Sequence, residues 1–528
     1  MPTAEQQTEA WVRRLAAQPG ALPCPARHAS LLQTHLSWLL LAGAHAYKFK
    51  KPLTLDFVDF GSAEQRRAAC EEELRLGRRT APELYLEVLP VTGTPAAPRL
   101  GGSGAAFDWA VHMRRFPADA VLAERAARGA LEATQIDALA REIAAFQARA
   151  ERAPEGSPWG DTATLRQLVA DCLPPIAPAV AGTPLANELN TLSIWTAAEG
   201  ARLAPLMAER RAAGFVREGH GDLHLGNLLW LDGRPRLFDA IEFNPALRWG
   251  DTAGDIAFLF MDLLAHGLAP LAWRFLNAWL EQTGDFGALL RLPFDAVYRA
   301  LVRAKVAALR LAQAGAADDV AAQNEAQADL ARYLHLATRL GQPRRPWLAL
   351  TVGVSGSGKS SQTQALVEAR GLIRLRADVE RKRLFGLAPE AASAGVAGGI
   401  YGEAVSDRLF ARLLASADTL LAAGWPVLVD ATFIRRVRRA PFIALARQRG
   451  LPWRLLAFDA PEPVLRERVR QRQAAGGDAS EANEAVLASQ LAHREPLASD
   501  EATHALHIDT TQAVDWSVWQ GALPATRN

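Results

Sequence analysis

The chain has 528 residues, too many for one ordinary hydrophobic core, so two or more domains are expected. Its 49% hydrophobic and 22% charged residues exclude a largely disordered or fibrous protein. With 59 basic against 57 acidic side chains, a formal charge of +2 gives no global pull toward nucleic acid or membrane and leaves room only for a local basic groove. Cys24, Cys70 and Cys172 are far apart and odd in number. That pattern suits a reducing compartment, argues against a disulfide framework or a cysteine-rich metal site, and makes small buried side chains the default reading. The first residues carry no basic stretch ahead of an apolar core, and the Leu-rich run 36–46 is too short to span a bilayer, so a cytoplasmic protein is expected.

In chain order, residues 31–60 and 84–116 hold β-like apolar runs, and most of 118–340 reads as amphipathic helix interrupted by a turn-rich segment at 218–245. This predicts a small sheet lobe followed by a helical lobe. Within the turn-rich segment, Asp222, Asn227 and Asp239 have the order and spacing of a phosphotransfer base and two metal-binding side chains. His220 and His224 share that loop and are expected to make structural hydrogen bonds rather than to ligate a metal. Asp251 and Asp255 read as acids that brace the loop.

These residues resemble the aminoglycoside phosphotransferase family, also called choline-kinase-like, over roughly residues 20–340. The resemblance implies a protein-kinase-like bilobal fold that uses ATP and Mg²⁺, with Asp222 as base and Asn227 and Asp239 on the metal. It implies a phosphate-pairing lysine at Lys48, with Lys50 as a rival on the same strand face. Glu73 is its expected partner, Glu71 and Glu72 remain alternatives, and residues 111–116 would form the hinge under the adenine. No GxGxxG precedes Lys48; only Thr34-His35-Leu36-Ser37 and the later Gly43 stand there.

A Pro-rich stretch, 341–346, is the predicted linker between a domain at 1–340 and another at 347–528. Beyond it, apolar strands alternate with helical stretches, the order of a doubly wound parallel sheet. Gly353-Val354-Ser355-Gly356-Ser357-Gly358-Lys359-Ser360 follows the first strand and opens a helix, the context of a P-loop. Gly353, Ser355, Gly356, Ser357, Gly358, Lys359, Ser360 and Ser361 form the nucleotide-binding set, with Lys359 on the phosphates and Ser360 on Mg²⁺. The next strand leads to Asp378, placed to take a proton from an acceptor hydroxyl, with Arg381 one helical turn on to hold a phosphate. Asp430 ends a third strand and is expected to orient Mg²⁺ or its water. Arg468 and Arg472, on one helical face before the loop 474–480, are expected to act in a closing lid. The Ala-Gly-rich stretch 391–399 reads as a loop.

The set GxxxxGKS, DxxR and DxT resembles the P-loop kinases of polynucleotide kinase, zeta-toxin and gluconate kinase type over roughly residues 346–515. The resemblance implies ATP-dependent, Mg²⁺-assisted phosphorylation of a hydroxyl on an unidentified acceptor, a small molecule or a nucleic-acid end. The whole chain is thus expected to be a two-domain phosphotransferase. The alternative makes the N-terminal domain a ligand-binding or regulatory module. Clustered basic surface around Arg381, Arg383, Arg435, Arg436, Arg438 and Arg439 would favour an anionic acceptor.

Overall fold

The computed structural model describes residues 3–55, 58–316, 318–396, 399–475, 479–519 and 521–524. Parts of the two predicted loops, 397–398 and 476–478, therefore lie outside the described residues. Among those described, no helix is long and apolar enough to cross a membrane. The chain forms two compact units. One is Met1–Ala138, Ala145–Leu168 and Ala201–Asp262; the other is Leu139–Ala144, Val169–Gly200 and Leu263–Asn528. The Pro-rich stretch 341–346 falls inside the second unit, not between units.

The first unit contains a six-stranded antiparallel sheet. Its strands are β1 (Ala29–Gln33), β2 (Ser37–Ala42), β3 (His45–Lys50), β4 (Tyr85–Thr94), β5 (Ala97–Leu100) and β6 (Asp108–Arg114), in the order β1-β2-β3-β6-β4-β5. Alternation along β3 sends Tyr47 and Phe49 into a core with Trp11, Trp38 and Leu40, and turns Lys48 and Lys50 to the other face. Helix α1 (Ala63–Gly77) starts at a capping box made by Ser62 and Gln65, and it brings buried Glu73 toward the two lysines. The segment expected as a hinge, 111–116, is mostly strand. Val111 to Arg114 belong to β6, which pairs with β3 and with β4, so its backbone groups are committed on both sides.

The second unit carries a five-stranded, wholly parallel sheet: β7 (Leu348–Val352), β8 (Ile373–Arg376), β9 (Val427–Asp430), β10 (Trp453–Asp459) and β11 (Ala505–Asp509), in the order β8-β9-β7-β10-β11. Every residue of central β7 is buried, which explains its continuous apolar run. Helices α2 (Lys359–Arg370) and α3 (Ala377–Arg383) leave the carboxyl ends of β7 and β8.

The edge at β8 is covered by a helix from far upstream, α4 (Ala269–Thr283). Its Asn277 accepts from the Arg374 N–H at 2.8 Å and donates to the Leu372 carbonyl at 2.9 Å, so one side chain takes the place of a neighbouring strand. Glu281, one turn on, binds both arginines of β8, Arg374 at 2.8 Å and Arg376 at 2.9 Å. Trp273 of the same helix lies so close to Gly371 that a Cβ there would sit 2.6 Å from the indole, and Gly371 itself has a φ of +65°. These contacts place α4 with the parallel sheet, in the unit that takes in Leu263–Asn528.

Asn277→Leu would leave a buried N–H and a buried C=O unpaired, at roughly 1–3 kcal/mol each. We expect the urea midpoint of the second unit, followed by tryptophan fluorescence, to fall by an amount equal to about 2 kcal/mol or more. An unchanged midpoint would show that the edge is satisfied in another way.

Candidate active sites

In the second unit, the loop after β7 is shaped by backbone geometry that only glycine accepts easily. Gly356 has a φ of +82°, and a Cβ there would lie 2.6 Å from the Leu465 carbonyl. The loop is anchored from behind: Thr351 donates its hydroxyl to the Ala431 carbonyl at 2.6 Å and accepts the Ala431 N–H at 3.0 Å. The Ser355 N–H donates to Gln490 Oε1 at 2.7 Å. The Lys359 ammonium arches back over the loop to the Val354 carbonyl at 2.8 Å.

Burial lowers the Lys359 pKa from an ordinary 10.5 to about 8, while the charges of Asp430 and Asp378 oppose the shift and that of Arg472 adds to it. Lys359, Asp378, Asp430 and Arg472 thus share one electrostatic neighbourhood. Asp430 is 5% exposed, yet its Oδ2 has no hydrogen-bond partner among the described residues. A buried carboxylate oxygen left free is costly unless something cationic meets it. Carboxylate and hydroxyl oxygens are the hard donors that Mg²⁺ takes, so Asp430 and Ser360 are the residues here that could hold it.

Arg381 reaches the Ile400 carbonyl at 3.2 Å and Ser406 Oγ at 3.3 Å, and its guanidinium lies over the Tyr401 ring. Its Nε and that of Arg472 are buried without a partner among the described residues. The helix α5 (Glu462–Ala475) sorts its arginines by face. Arg466 and Arg470 pair with Glu462 and Glu484, whereas Arg468 binds Thr510 Oγ1 at 2.9 Å and the Gly356 carbonyl at 3.3 Å. Arg472 donates to the Ala482 carbonyl at 2.8 Å. Arg468 is therefore a strut for the loop, and the charge of Arg472 is felt at Lys359.

The sequence missed Arg376, whose charge is felt by Asp430 and Asp378 and which Glu281 holds in place. Its signal was the alternation Ile373-Arg374-Leu375-Arg376, which sets both arginines on one strand face. The expected basic cluster does not form a bare cationic surface. Arg383, Arg435, Arg436, Arg438 and Arg439 pair with Glu380, Glu403, Asp500, Asp407 and Glu501, and Arg439 is fully buried.

In the first unit, Lys48 binds Glu73 at 2.8 Å and Asp239 at 2.5 Å. Asp239 has a left-handed φ of 60°, a conformation aspartate tolerates better than most residues. Lys50 is shut away between Glu73 and Glu242 and is 1% exposed, so Lys48 is the lysine that reaches the strand-end acid. Burial alone would raise the Glu73 carboxyl, but the two lysines outweigh it and hold it well below the usual range. Glu71 pairs instead with Arg67 on the exposed side of α1, and half-buried Glu72 with Arg75 and Arg248.

Asn227 donates to Asp222 Oδ2 at 2.8 Å, which joins the two loop residues. Asp255 braces that loop by accepting the His220 and Gly221 N–H groups at 2.8 and 2.9 Å, and Asp251 clamps Arg210 at 2.7 Å. His220 Nε2 donates to the Phe238 carbonyl, and burial lowers its pKa, so it is a neutral structural histidine. His224 Nδ1 accepts the Gly226 N–H. A lysine–glutamate pair spanning sheet and helix, a loop Asp and Asn, and a strand-end Asp mark a protein-kinase-like fold.

The second unit's parallel sheet and loop are those of a P-loop nucleotide-binding protein, and a family model described as AAA domain matches residues 348–497. Uncharacterized protein Rv2004c of Mycobacterium tuberculosis (strain ATCC 25618 / H37Rv) is 30% identical over 465 residues, covering 87% of this chain and 89% of the relative. An uncharacterized protein of Mycobacterium bovis matches to the same extent. The chain belongs to the family of these mycobacterial proteins. Among solved structures, a sugar kinase from Janibacter sp. HTCC2649 is similar at 23% identity, over 32% of this chain and 87% of that one, with a TM-score of 0.25. A choline kinase from Cryptosporidium parvum Iowa II is similar at 11% identity, over 63% and 96%, with a TM-score of 0.38.

A lysine titrating near 8 in the free protein is charged below that pH and neutral above it. We therefore expect kcat/KM for ATP to fall as pH rises through about 8, and the fall to vanish in Lys359→Arg, whose guanidinium stays charged. A wild-type profile level to pH 10 would assign the phosphate contact elsewhere.

Proposed function

We propose that the chain is a phosphotransferase in which the P-loop unit, residues 347–528 together with the helix α4 that covers its sheet, passes the γ-phosphoryl group of ATP to a hydroxyl acceptor. The observation that carries this reading is the convergence of Lys359, Asp378 and buried Asp430 at the carboxyl ends of adjacent parallel strands. The loop N–H groups and Lys359 bind the ATP phosphates, and Arg472 and Arg376 neutralise charge around them. Asp378 takes the acceptor's hydroxyl proton as the new O–P bond forms and the bond between the β-bridging oxygen and Pγ breaks, with ADP leaving. Mg²⁺, held by Ser360 and Asp430, would screen the phosphate charge.

The Nε atoms of Arg381 and Arg472, buried without a partner among the described residues, support an acceptor that carries its own anionic group. The ion pairs of the neighbouring arginines favour a small one over a nucleic-acid strand, which needs a continuous basic track.

For the first unit, the same type of chemistry uses Asp222 as base, with Lys48 and Glu73 on the nucleotide and Asn227 and Asp239 on Mg²⁺. A second reading makes it a ligand-binding module that controls the P-loop kinase. It is favoured by the tight β1–β2 turn, which has no glycine and is closed by Thr34 donating its hydroxyl to the Ser37 carbonyl.

The test is transfer from γ-labelled ATP with Mg²⁺ into sugars, nucleosides, phosphorylated small alcohols, aminoglycosides and 5′-hydroxyl oligonucleotides, using the full chain. Lys359→Ala is expected to lower transfer by at least 10³-fold, in the range seen when a phosphate-clamping cation is lost. Loss in Asp222→Ala with transfer intact in Lys359→Ala would move the activity to the N-terminal site. Equal transfer in all three proteins would sink the proposal.

A further inference from the structure

Cys24, His45 and His112 meet in the first unit, each offering one ligand atom, and the three atoms lie within 4.8 Å of one another. They come from separate segments. Cys24 sits between Pro23 and Pro25 in the stretch before β1, His45 opens β3, and His112 lies in β6 opposite Tyr47. By strand alternation His45 and Tyr47 project to the face opposite Lys48, so this cluster is separate from the nucleotide machinery.

Its local bonding resembles the surroundings of a ligating histidine. His112 is buried, and its Nδ1 donates to Glu87 Oε1 at 3.1 Å, which leaves the lone pair of Nε2 directed at His45 Nδ1, 2.9 Å away. A carboxylate on the far nitrogen fixes both tautomer and ring orientation in metal-bound histidines. The Tyr47 ring stacks on His112 at 4.8 Å between centroids and holds it further. Two imidazole nitrogens and a sulfur form a borderline-soft donor set, which suits Zn²⁺ and not the oxygen-seeking Mg²⁺.

We propose that Cys24, His45 and His112 bind one Zn²⁺, with water completing a tetrahedral shell. On binding, the Cys24 thiol gives its proton to solvent as the S–Zn bond forms; His45 releases its Nδ1 proton to solvent and takes one up on Nε2, so that the hydrogen bond between the two imidazoles is exchanged for two N–Zn bonds. The ion ties the loop before β1 to two strands of the sheet. Its free energy of binding therefore adds to the stability of the first unit.

The full-length protein, stripped with chelator and then titrated with ZnCl₂ by calorimetry, is expected to take up one equivalent at this site. Co²⁺ in place of Zn²⁺ should give a thiolate-to-metal charge-transfer band in the near ultraviolet, which Cys24→Ser removes while circular dichroism stays unchanged. Glu87→Gln, which touches no metal, should weaken Zn²⁺ about tenfold by loosening His112. Wild-type melting temperature should rise with Zn²⁺, and the rise should be lost in Cys24→Ser and in His45→Gln. The absence of a charge-transfer band from the folded wild-type protein would overturn the site. So would a band that persists in Cys24→Ser, or Zn²⁺ affinity equal in wild type and Cys24→Ser.

Discussion

A parallel sheet must protect its edges, and at the β8 edge in the second unit that duty falls to one amide side chain. Asn277 presents both an acceptor and a donor to β8, matching the exposed N–H of Arg374 and the C=O of Leu372. Because the contact is buried, an error of one residue in the register of α4 would leave polar groups without partners. The same register places Glu281 opposite Arg374 and Arg376, and Trp273 against Gly371. Position in the helix, closure of the strand and the aim of Arg376 toward the acids of the P-loop site are therefore one constraint.

The two sites differ in how their charges are balanced. In the first unit the lysines and acids satisfy one another: Lys48 holds Glu73 and Asp239, Lys50 holds Glu73 and Glu242, and Asn227 holds Asp222. Any ligand there must compete with bonds already made. In the second unit Asp430 Oδ2 and the Nε atoms of Arg381 and Arg472 keep unspent bonding capacity among the described residues, at a cost to folding that a bound partner would repay. Stored desolvation of this kind favours tight binding of the groups that relieve it.

Arrangements that depend on short spacing were legible in the sequence. The P-loop, the acid at the end of β9 and the Asp222–Asn227 pair are local patterns, since strand ends and tight turns bring near neighbours together. Lys48 over Lys50 was not decidable from alternation, because both project to one face; what separates them is that Glu242, 192 positions away in the chain, closes over Lys50. Arg468 read as a lid residue because i, i+4 spacing says which arginines share a face but not what that face meets, and here it meets Thr510. Glu281, Asn277 and the cluster at Cys24 depend on pairings across long separations, for which a single sequence carries no signal. Whether the basic run near Arg435 is bare could not be read from it alone, because the acids that pair with it lie on other helices.

Gly371 and Asn277 together bear on how such a chain can be rearranged by recombination. A crossover within the Pro-rich stretch 341–346 would separate the P-loop from α4, leaving β8 as a bare edge, a ready template for pairing with another chain. The heritable module therefore begins well before the glycine-rich loop, at the helix that carries Trp273, Asn277 and Glu281. A domain shuffled without that helix would bring its nucleotide loop but not the support of the strand beside it.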